Sequence, residues 1–159
     1  MKSAGLSDLK KELQLLNAKE LSELCIKLAK YKKDNKEYLS YLLYESHDCS
    51  VFVKEIKEEI DINFESIKTF SNLYYVKKGL RKVLRQISKY SKYINDKGIS
   101  AELYIYFCLK LKESGIPFTR NQVLVNLYQQ QLKKINTLLS GVHEDLRHDY
   151  ASDLERIGI

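Results

Sequence analysis

The sequence is poor in proline and glycine, the residues that most often shape turns. Its 159 residues include one proline and six glycines, too few for a loop-rich or many-stranded fold, in which turns use both types. Hydrophobic residues make up 44% and charged residues 30% of the chain. That balance is typical of a globular protein and excludes a disordered one. We therefore expect an all-α fold with a single domain over residues 1–159.

Long apolar runs are also missing. The longest uninterrupted run, residues 103–109, is far shorter than the roughly 20 residues that a membrane-spanning helix requires. Residues 1–13 contain no apolar core of the kind that a signal peptide carries. These absences predict a cytoplasmic protein that does not bind a membrane.

Close pairs of cysteines are a third absence. Cys25, Cys49 and Cys108 are odd in number and widely separated, whereas a zinc site needs close ligand pairs such as C-x-x-C. Cys25 and Cys108 lie in apolar stretches, as buried free thiols commonly do. We interpret the cysteines as packing residues and expect no cofactor.

Apolar residues recur at helical spacing along the chain and predict seven or eight helices joined by short turns. Because short turns favour antiparallel neighbours, we expect either a compact bundle or a short helical-hairpin, solenoid-like array. Two capping boxes mark helix starts, one formed by Asn17 with Glu20 and one by Thr119 with Gln122. Asp96-Lys97-Gly98 is predicted to end a helix, with Gly98 just beyond the last turn.

Residues 101–112 are predicted as a helix, although residues 103–109 are equally compatible with a buried strand. Helix-favouring residues flank the apolar run on both sides. No second strand is visible elsewhere in the sequence, and a lone strand would have nothing to pair with. We therefore predict a helix here.

The longest predicted helix, residues 64–94, is a central amphipathic helix that follows a break at residues 61–63. Its apolar positions are spaced alternately three and four residues apart for three heptads, which places them along one edge. We name this set the apolar seam: Leu73, Val76, Leu80, Val83, Ile87, Tyr90 and Ile94. The seam can pack inside the protein or join two copies into a homo-oligomer. Gly79 could kink the helix, and residues 71–72 could split it.

The opposite edge of this helix is cationic. The net charge of the protein is +6, yet residues 77–97 hold eight cations and one acid, so they sum to +7 and the rest of the chain to −1. Residues 45–66 hold seven acids and two lysines, a net charge of −5. We name the candidate polyanion-binding set the cationic face: Lys78, Arg81, Lys82, Arg85, Lys89 and Lys92.

Cations one helical turn apart can contact successive phosphates of a nucleic acid and release its counterions. Tyrosines of the same helix can stack on unpaired bases, and the candidates are Tyr74, Tyr75, Tyr90 and Tyr93. The competing interpretation is a solvated surface, or one neutralised by residues 45–66 folding back onto it. The sequence leaves both interpretations open.

A metal site is a weaker hypothesis for the last predicted helix, residues 144–157. Glu144 and His148 are four residues apart and could face one ion, with acids further along the same segment. The low-ranking candidate ligands are Glu144, His148, Asp149 and Asp153. The segment lacks H-E-x-x-H, and the chain lacks a glycine-rich phosphate loop and G-x-S-x-G. We therefore do not expect an enzyme.

The first functional expectation is a non-enzymatic helical binding or scaffold domain that works by protein–protein interaction. Aromatic side chains left exposed near helix ends would supply the contact, and the candidates are Tyr31, Tyr93 and Tyr150. The alternative is nucleic-acid binding through the cationic face, within residues 77–97. A metal-dependent enzyme near residues 143–153 is a distant third.

Overall fold

The computed structural model describes residues 2–69 and 71–159. It is 83% helical and, within those residues, contains nine α-helices and no strand, so the predicted all-α fold is confirmed. None of the described helices is both long enough and apolar enough to cross a bilayer. The helices are α1 (Leu6–Leu15), α2 (Ala18–Tyr31), α3 (Lys33–Ser40), α4 (Cys49–Lys68), α5 (Leu73–Ile94), α6 (Lys97–Glu113), α7 (Gln122–Leu139), α8 (Glu144–Asp149) and α9 (Ala151–Ile157).

The chain divides into two compact units, Met1–Ser46 and His47–Ile159, which we call the N-terminal and C-terminal units. The N-terminal unit contains α1, α2, α3 and a π-helical segment, Tyr41–Glu45. The C-terminal unit contains α4 to α9. The expectation that residues 1–159 form a single domain stays a prediction.

The N-terminal unit starts its second helix as the sequence predicts. The backbone N–H of Glu20 donates to Oδ1 of Asn17 at 3.0 Å, and the backbone N–H of Asn17 donates to Oε2 of Glu20 at 2.9 Å, which is a complete capping box. Among the described residues of this unit, Tyr41 alone is buried. Cys25 is exposed, so its assignment as a buried packing residue is wrong.

The C-terminal unit is built around α6, which packs against α4, α5, α7 and α9. Leu103, Tyr104 and Phe107 are almost fully buried, and Cys108 lies among them with no exposure. A helix that is apolar on all sides belongs in the interior, and this explains why residues 103–109 also resembled a strand. The prediction of a helix over residues 101–112 is confirmed.

The predicted helix over residues 64–94 is two helices. The break predicted at residues 61–63 is wrong, because α4 continues through them to Lys68. The next helix begins at Leu73, where the side chain of Asn72 accepts a hydrogen bond from the backbone N–H of Tyr74 at 2.8 Å. Phe70, which the predicted helix included, lies outside the described residues.

The helix ends at Ile94 as predicted, but the role predicted for Gly98 as the residue beyond its last turn is wrong. Asn95 ends α5 in the left-handed region with φ 54°, and the side chain of Asp96 caps α6 by accepting from the backbone N–H of Ile99 at 2.8 Å. Gly98 is therefore inside α6. A Cβ at this position would lie 2.8 Å from Cδ2 of Leu146, so a larger residue here would require the Leu146 side chain of α8 to shift.

Two further boundaries differ from the predictions. The cap of α7 is Asn121, whose side chain accepts from the backbone N–H groups of Val123 and Leu124 at 3.0 and 3.3 Å, and Thr119 lies in the preceding 3₁₀ turn. The predicted last helix, residues 144–157, is divided into α8 and α9 at Tyr150.

Candidate functional site

The apolar seam of α5 is part of the core of the C-terminal unit. Val76, Leu80, Val83 and Ile87 are 7%, 0%, 0% and 0% exposed, because α5 packs these positions against α4 and α6. Leu73, at the start of the seam, is 45% exposed. The four central positions therefore do not offer their side chains to a second copy.

The cationic face lies on the side of α5 opposite the seam. At about 100° per residue, Lys78 and Ile87 point in directions about 180° apart. From Lys78 to Lys92 the face extends about 21 Å, at about 1.5 Å of rise per residue. Lys89 is half-buried, and its Nζ lies 5.0 Å from the centroid of the Tyr90 ring. The other five cations are exposed: Lys78, Arg81, Lys82, Arg85 and Lys92.

These five exposed cations form no side-chain hydrogen bond or ion pair within residues 2–69 and 71–159. Other cations of the same unit have partners. Nζ of Lys57 lies 2.6 Å from Oε1 of Glu102, and Nζ of Lys110 lies 2.9 Å from Oδ1 of Asp61. The charges of these five side chains are thus left facing solvent.

The acidic segment folds back onto α5, since α4 packs against it, and Glu59 of α4 contacts neutral side chains of α5. Oε1 of Glu59 accepts from the side-chain amide of Gln86 at 2.6 Å, and Oε2 accepts from the hydroxyl of Tyr90 at 3.0 Å. Gln86 and Tyr90 are both neutral. These contacts therefore do not neutralise the five exposed cations.

A second acid of α4, Asp61, is engaged by α6 instead. The hydroxyl of Tyr106 donates to its carboxylate at 2.8 and 2.9 Å, and Lys110 pairs with the same group. Burial and the hydrogen bond to Asp61 raise the pKa of Tyr106, and the contact with Asp61 raises the pKa of Lys110. Asp61 therefore joins α4 to α6.

An aromatic pair stands at the start of α5, one turn before the cationic face. Tyr74 and Tyr75 are 58% and 51% exposed, and their ring centroids are 5.3 Å apart at an interplanar angle of 81°. Tyr90, by contrast, packs its ring edge-on against Phe52 at 5.5 Å, and Tyr93 is half-buried beside Tyr90. Tyr74 and Tyr75 are thus the exposed tyrosines of α5, a distinction that the sequence pattern does not make.

A groove of about 300 Å³ adjoins the cationic face where α5 meets α7. Arg81 and Leu84 line it from α5, and side-chain amides line it from α7, namely those of Asn126, Gln130 and Gln131. Amide groups both donate and accept hydrogen bonds. The groove therefore places neutral polar groups beside Arg81, at the edge of the cationic face.

The candidate metal ligands are not brought together. Glu144 and His148 line an open cavity of about 370 Å³, whereas Asp149 ends α8 and Asp153 lies in α9, beyond the break at Tyr150. Among the described residues, no group of three or more His, Cys, Asp or Glu side chains is placed to hold a metal ion.

The three tyrosines predicted as protein contacts differ in exposure. Tyr31 is 77% exposed, whereas Tyr93 and Tyr150 are half-buried. The hydroxyl of Tyr150 donates to Oε2 of Glu102 at 3.4 Å, and burial followed by the charge of Glu102 raises the pKa of Tyr150 to about 12. Tyr150 is therefore part of the packing between α6 and the C-terminal helices.

No known protein family, curated protein or solved structure matches this chain.

Proposed function

We propose that this chain is a non-enzymatic helical binding domain whose cationic face binds the phosphate backbone of a nucleic acid. The observation that carries the proposal is the absence of acid partners for the five exposed cations within the described residues. Unpaired cations along about 21 Å of a rigid helix form a linear positive surface. Such a surface matches the linear charge of a phosphate backbone.

The chemistry of the cationic face predicts binding without sequence preference. All six residues are lysine or arginine, and contacts of such residues with phosphates position a protein on nucleic acid but carry no sequence information. Each contacted phosphate releases condensed counterions, which provides the driving force and makes the affinity depend on salt. The cationic face alone is therefore not expected to distinguish one base from another.

The proposal is tested by removing the charges and measuring fluorescence anisotropy with labelled mixed-sequence oligonucleotides at low salt. The test variant carries glutamine at all five exposed positions: K78Q, R81Q, K82Q, R85Q and K92Q. The matched control removes five exposed charges from the N-terminal unit: K10Q, K11Q, K19Q, K27Q and K30Q. We expect the test variant to lose at least about tenfold in affinity and the control to stay within a factor of about three, because contacted phosphates dominate the binding free energy.

Two results would contradict the proposal. Equal losses in the test variant and the control would show that net charge, and not this face, attracts the nucleic acid. If the wild-type protein does not bind the oligonucleotides at low salt, the proposed nucleic-acid binding is contradicted altogether. The substituted side chains are all exposed, so both variants are expected to fold.

We also propose a protein–protein interaction through the N-terminal unit, which exposes an unusual amount of apolar surface. Monomeric proteins rarely expose large contiguous apolar patches, and none of the residues of α1, α2 or α3 is buried. Twelve large apolar side chains of this unit are 37–86% exposed: Leu6, Leu9, Leu13, Leu15, Leu24, Ile26, Leu28, Tyr31, Tyr38, Leu42, Leu43 and Tyr44.

A second copy of this chain is the partner that we propose for this surface. Leu6, Leu9 and Leu13 are spaced three and four residues apart, so they line one edge of α1, as in helices that pair with helices. Aromatic side chains bury roughly 150–250 Å² each, so the exposed tyrosines and leucines of this unit together approach the roughly 800 Å² per partner of a standard interface. Sedimentation should show a dimer that L9E/L13E converts to a monomer. A wild-type monomer at all concentrations would contradict self-association and leave a different protein as the partner.

Two finer features belong to the same proposal. The helices of the C-terminal unit are proposed to pack antiparallel in a compact bundle, which is supported by the two-residue connection between α5 and α6. The protein is proposed to act in the cytoplasm, where thiols stay reduced, and this is supported by three cysteines that are all free thiols.

A further inference from the structure

We infer that the nucleic acid bound by the cationic face is single-stranded, with one base stacked on Tyr74 at the N-terminal end of α5. This inference rests on the proposed function, because it names the ligand of the same surface. It adds an aromatic contact to the electrostatic one. Proteins that hold single strands without sequence preference combine a cationic track with aromatic side chains on which bases stack.

Tyr74 continues the line of the cationic face. It precedes Lys78 by four residues, so the two side chains are separated by about 40° around the helix and about 6 Å along it. From Tyr74 to Lys92 the combined surface extends about 27 Å. A strand whose phosphates follow the cations would therefore place a base beside the ring of Tyr74.

The surroundings of Tyr74 leave its ring available for stacking. Its side chain is 58% exposed. The neighbouring ring of Tyr75 stands at 81° to the Tyr74 ring, so the two rings are not stacked in parallel. The backbone N–H of Tyr74 is held by the side chain of Asn72 at 2.8 Å. This cap fixes the first turn of α5 and therefore the direction from which the tyrosine side chain leaves the helix.

A duplex would not use this aromatic contact. In a duplex the faces of the bases are stacked inside the helix, whereas unpaired bases can turn outward and stack on aromatic rings. Because the apolar seam is buried, α5 exposes only its opposite edge. One phosphate backbone can lie along that edge. Tyr90 cannot take the same role, because its ring packs against Phe52 and its hydroxyl donates to Glu59.

The inference is tested by comparing single-stranded and duplex DNA of the same mixed sequence and length with three variants. Y74A removes the ring, and Y74F keeps the ring without the hydroxyl. I62A is the control, since it shortens an exposed apolar side chain of α4 that is 71% exposed. We expect Y74A to weaken single-strand binding roughly tenfold to a hundredfold and to leave duplex binding unchanged, because the stacking contact is absent from the duplex. Y74F and I62A should bind single strands like the wild type.

The outcomes separate this inference from the proposed function. If the wild type binds duplex as tightly as single strands and Y74A lowers neither affinity, the cationic face binds phosphates without a stacked base and the single-strand inference is overturned. If Y74F loses as much affinity as Y74A, the hydroxyl and not the stacking ring is responsible, and the inference is again overturned. If the wild type binds neither form, the proposed function itself fails.

Discussion

Helices α4 and α5 pack side by side but use their charges in opposite ways. α4 carries five acids and three lysines, and α5 carries seven cations and no acid. Charged side chains of α4 are engaged inside the C-terminal unit, as Glu59 is with α5 and Asp61 with α6. Five cations of α5 have no such partner within the described residues. Glu59 and Asp61 therefore join α4 to its neighbours, whereas the five exposed cations of α5 remain available to a ligand.

The difference arises from how the two helices are rotated against each other. α5 turns its seam toward α4 and α6, and this directs the five exposed cations toward solvent. Glu59 of α4 reaches the flank of α5, where it contacts the neutral side chains of Gln86 and Tyr90. Opposite net charges on adjacent helices therefore do not imply that the charges are paired.

The largest expected effect is the loss of stability when a buried apolar side chain of α5 is shortened, compared with an exposed one of α4. Ile87 of α5 is 0% exposed, whereas Val51 of α4 is 51% exposed. I87A should lower the free energy of unfolding by about 2–5 kcal/mol, because it leaves a cavity in the core. V51A should change the free energy of unfolding by less than about 0.5 kcal/mol. Urea denaturation measures both, and a small effect of I87A would show that the seam is not part of the core.

The next effect tests the structural role of the charges on α4. D61N removes the ion pair with Lys110 and weakens the hydrogen bond from Tyr106. Because Asp61 is 40% exposed, we expect a loss of only about 1 kcal/mol in the free energy of unfolding. E55Q neutralises an exposed acid of the same helix and should leave stability unchanged. Equal changes in the free energy of unfolding for D61N and E55Q would contradict a stabilising role of the Asp61 contacts.

A smaller effect of opposite sign is expected on α5. Lys82 lies four residues after Lys78 and three before Arg85, so it repels both across the helix surface. K82Q should raise the free energy of unfolding by roughly 0.2–0.5 kcal/mol at low salt, and added salt should abolish the gain. Destabilisation by K82Q would mean that Lys82 has an acid partner in solution, which would contradict its place among the five exposed cations without one.

The smallest effect is a pH dependence linked to Asp61. The pKa of Tyr106 is raised above its ordinary value of 10.0, mainly by burial and by Asp61, and that of Lys110 is raised above 10.5, mainly by Asp61. Both groups hold protons more tightly in the folded protein, so their contribution to stability is complete below pH 10 and is lost as the pH rises beyond it. The loss above pH 10 should be shallower in D61N than in the wild type. Parallel pH profiles would contradict the assignment.

Much of the fold follows from local sequence signals. The all-α class, the capping box at Asn17 and the helical character of residues 101–112 depend on short-range patterns, and the structure confirms them. Gly98 shows where such patterns fail. Glycine favours the position after a helix, but here Asn95 adopts the left-handed conformation, and Gly98 lies inside α6, where Leu146 of α8 approaches it. That reason is tertiary and cannot be read from neighbouring residues.

The candidate site was visible in the sequence only in part. The spacing of the cations on one edge of α5 follows from helical periodicity alone. The sequence does not show which cations meet an acid, because that depends on the rotation of α4. It also does not show which tyrosines are exposed, because Tyr90 is covered by packing against Phe52. The candidate ligands Asp149 and Asp153 were separated by a break at Tyr150 that the sequence pattern did not reveal.

The measurement that tests the central claim most directly is the salt dependence of single-strand binding by the wild-type protein. If five unpaired cations contact phosphates, log K should fall with log salt at a slope of about −3.5, since each contact contributes about −0.7 for single strands. Substituting one of the five, as in R85Q, should make the slope shallower by about 0.7. A slope near zero, or one that R85Q leaves unchanged, would contradict the claim that the cationic face of α5 is the nucleic-acid-binding surface.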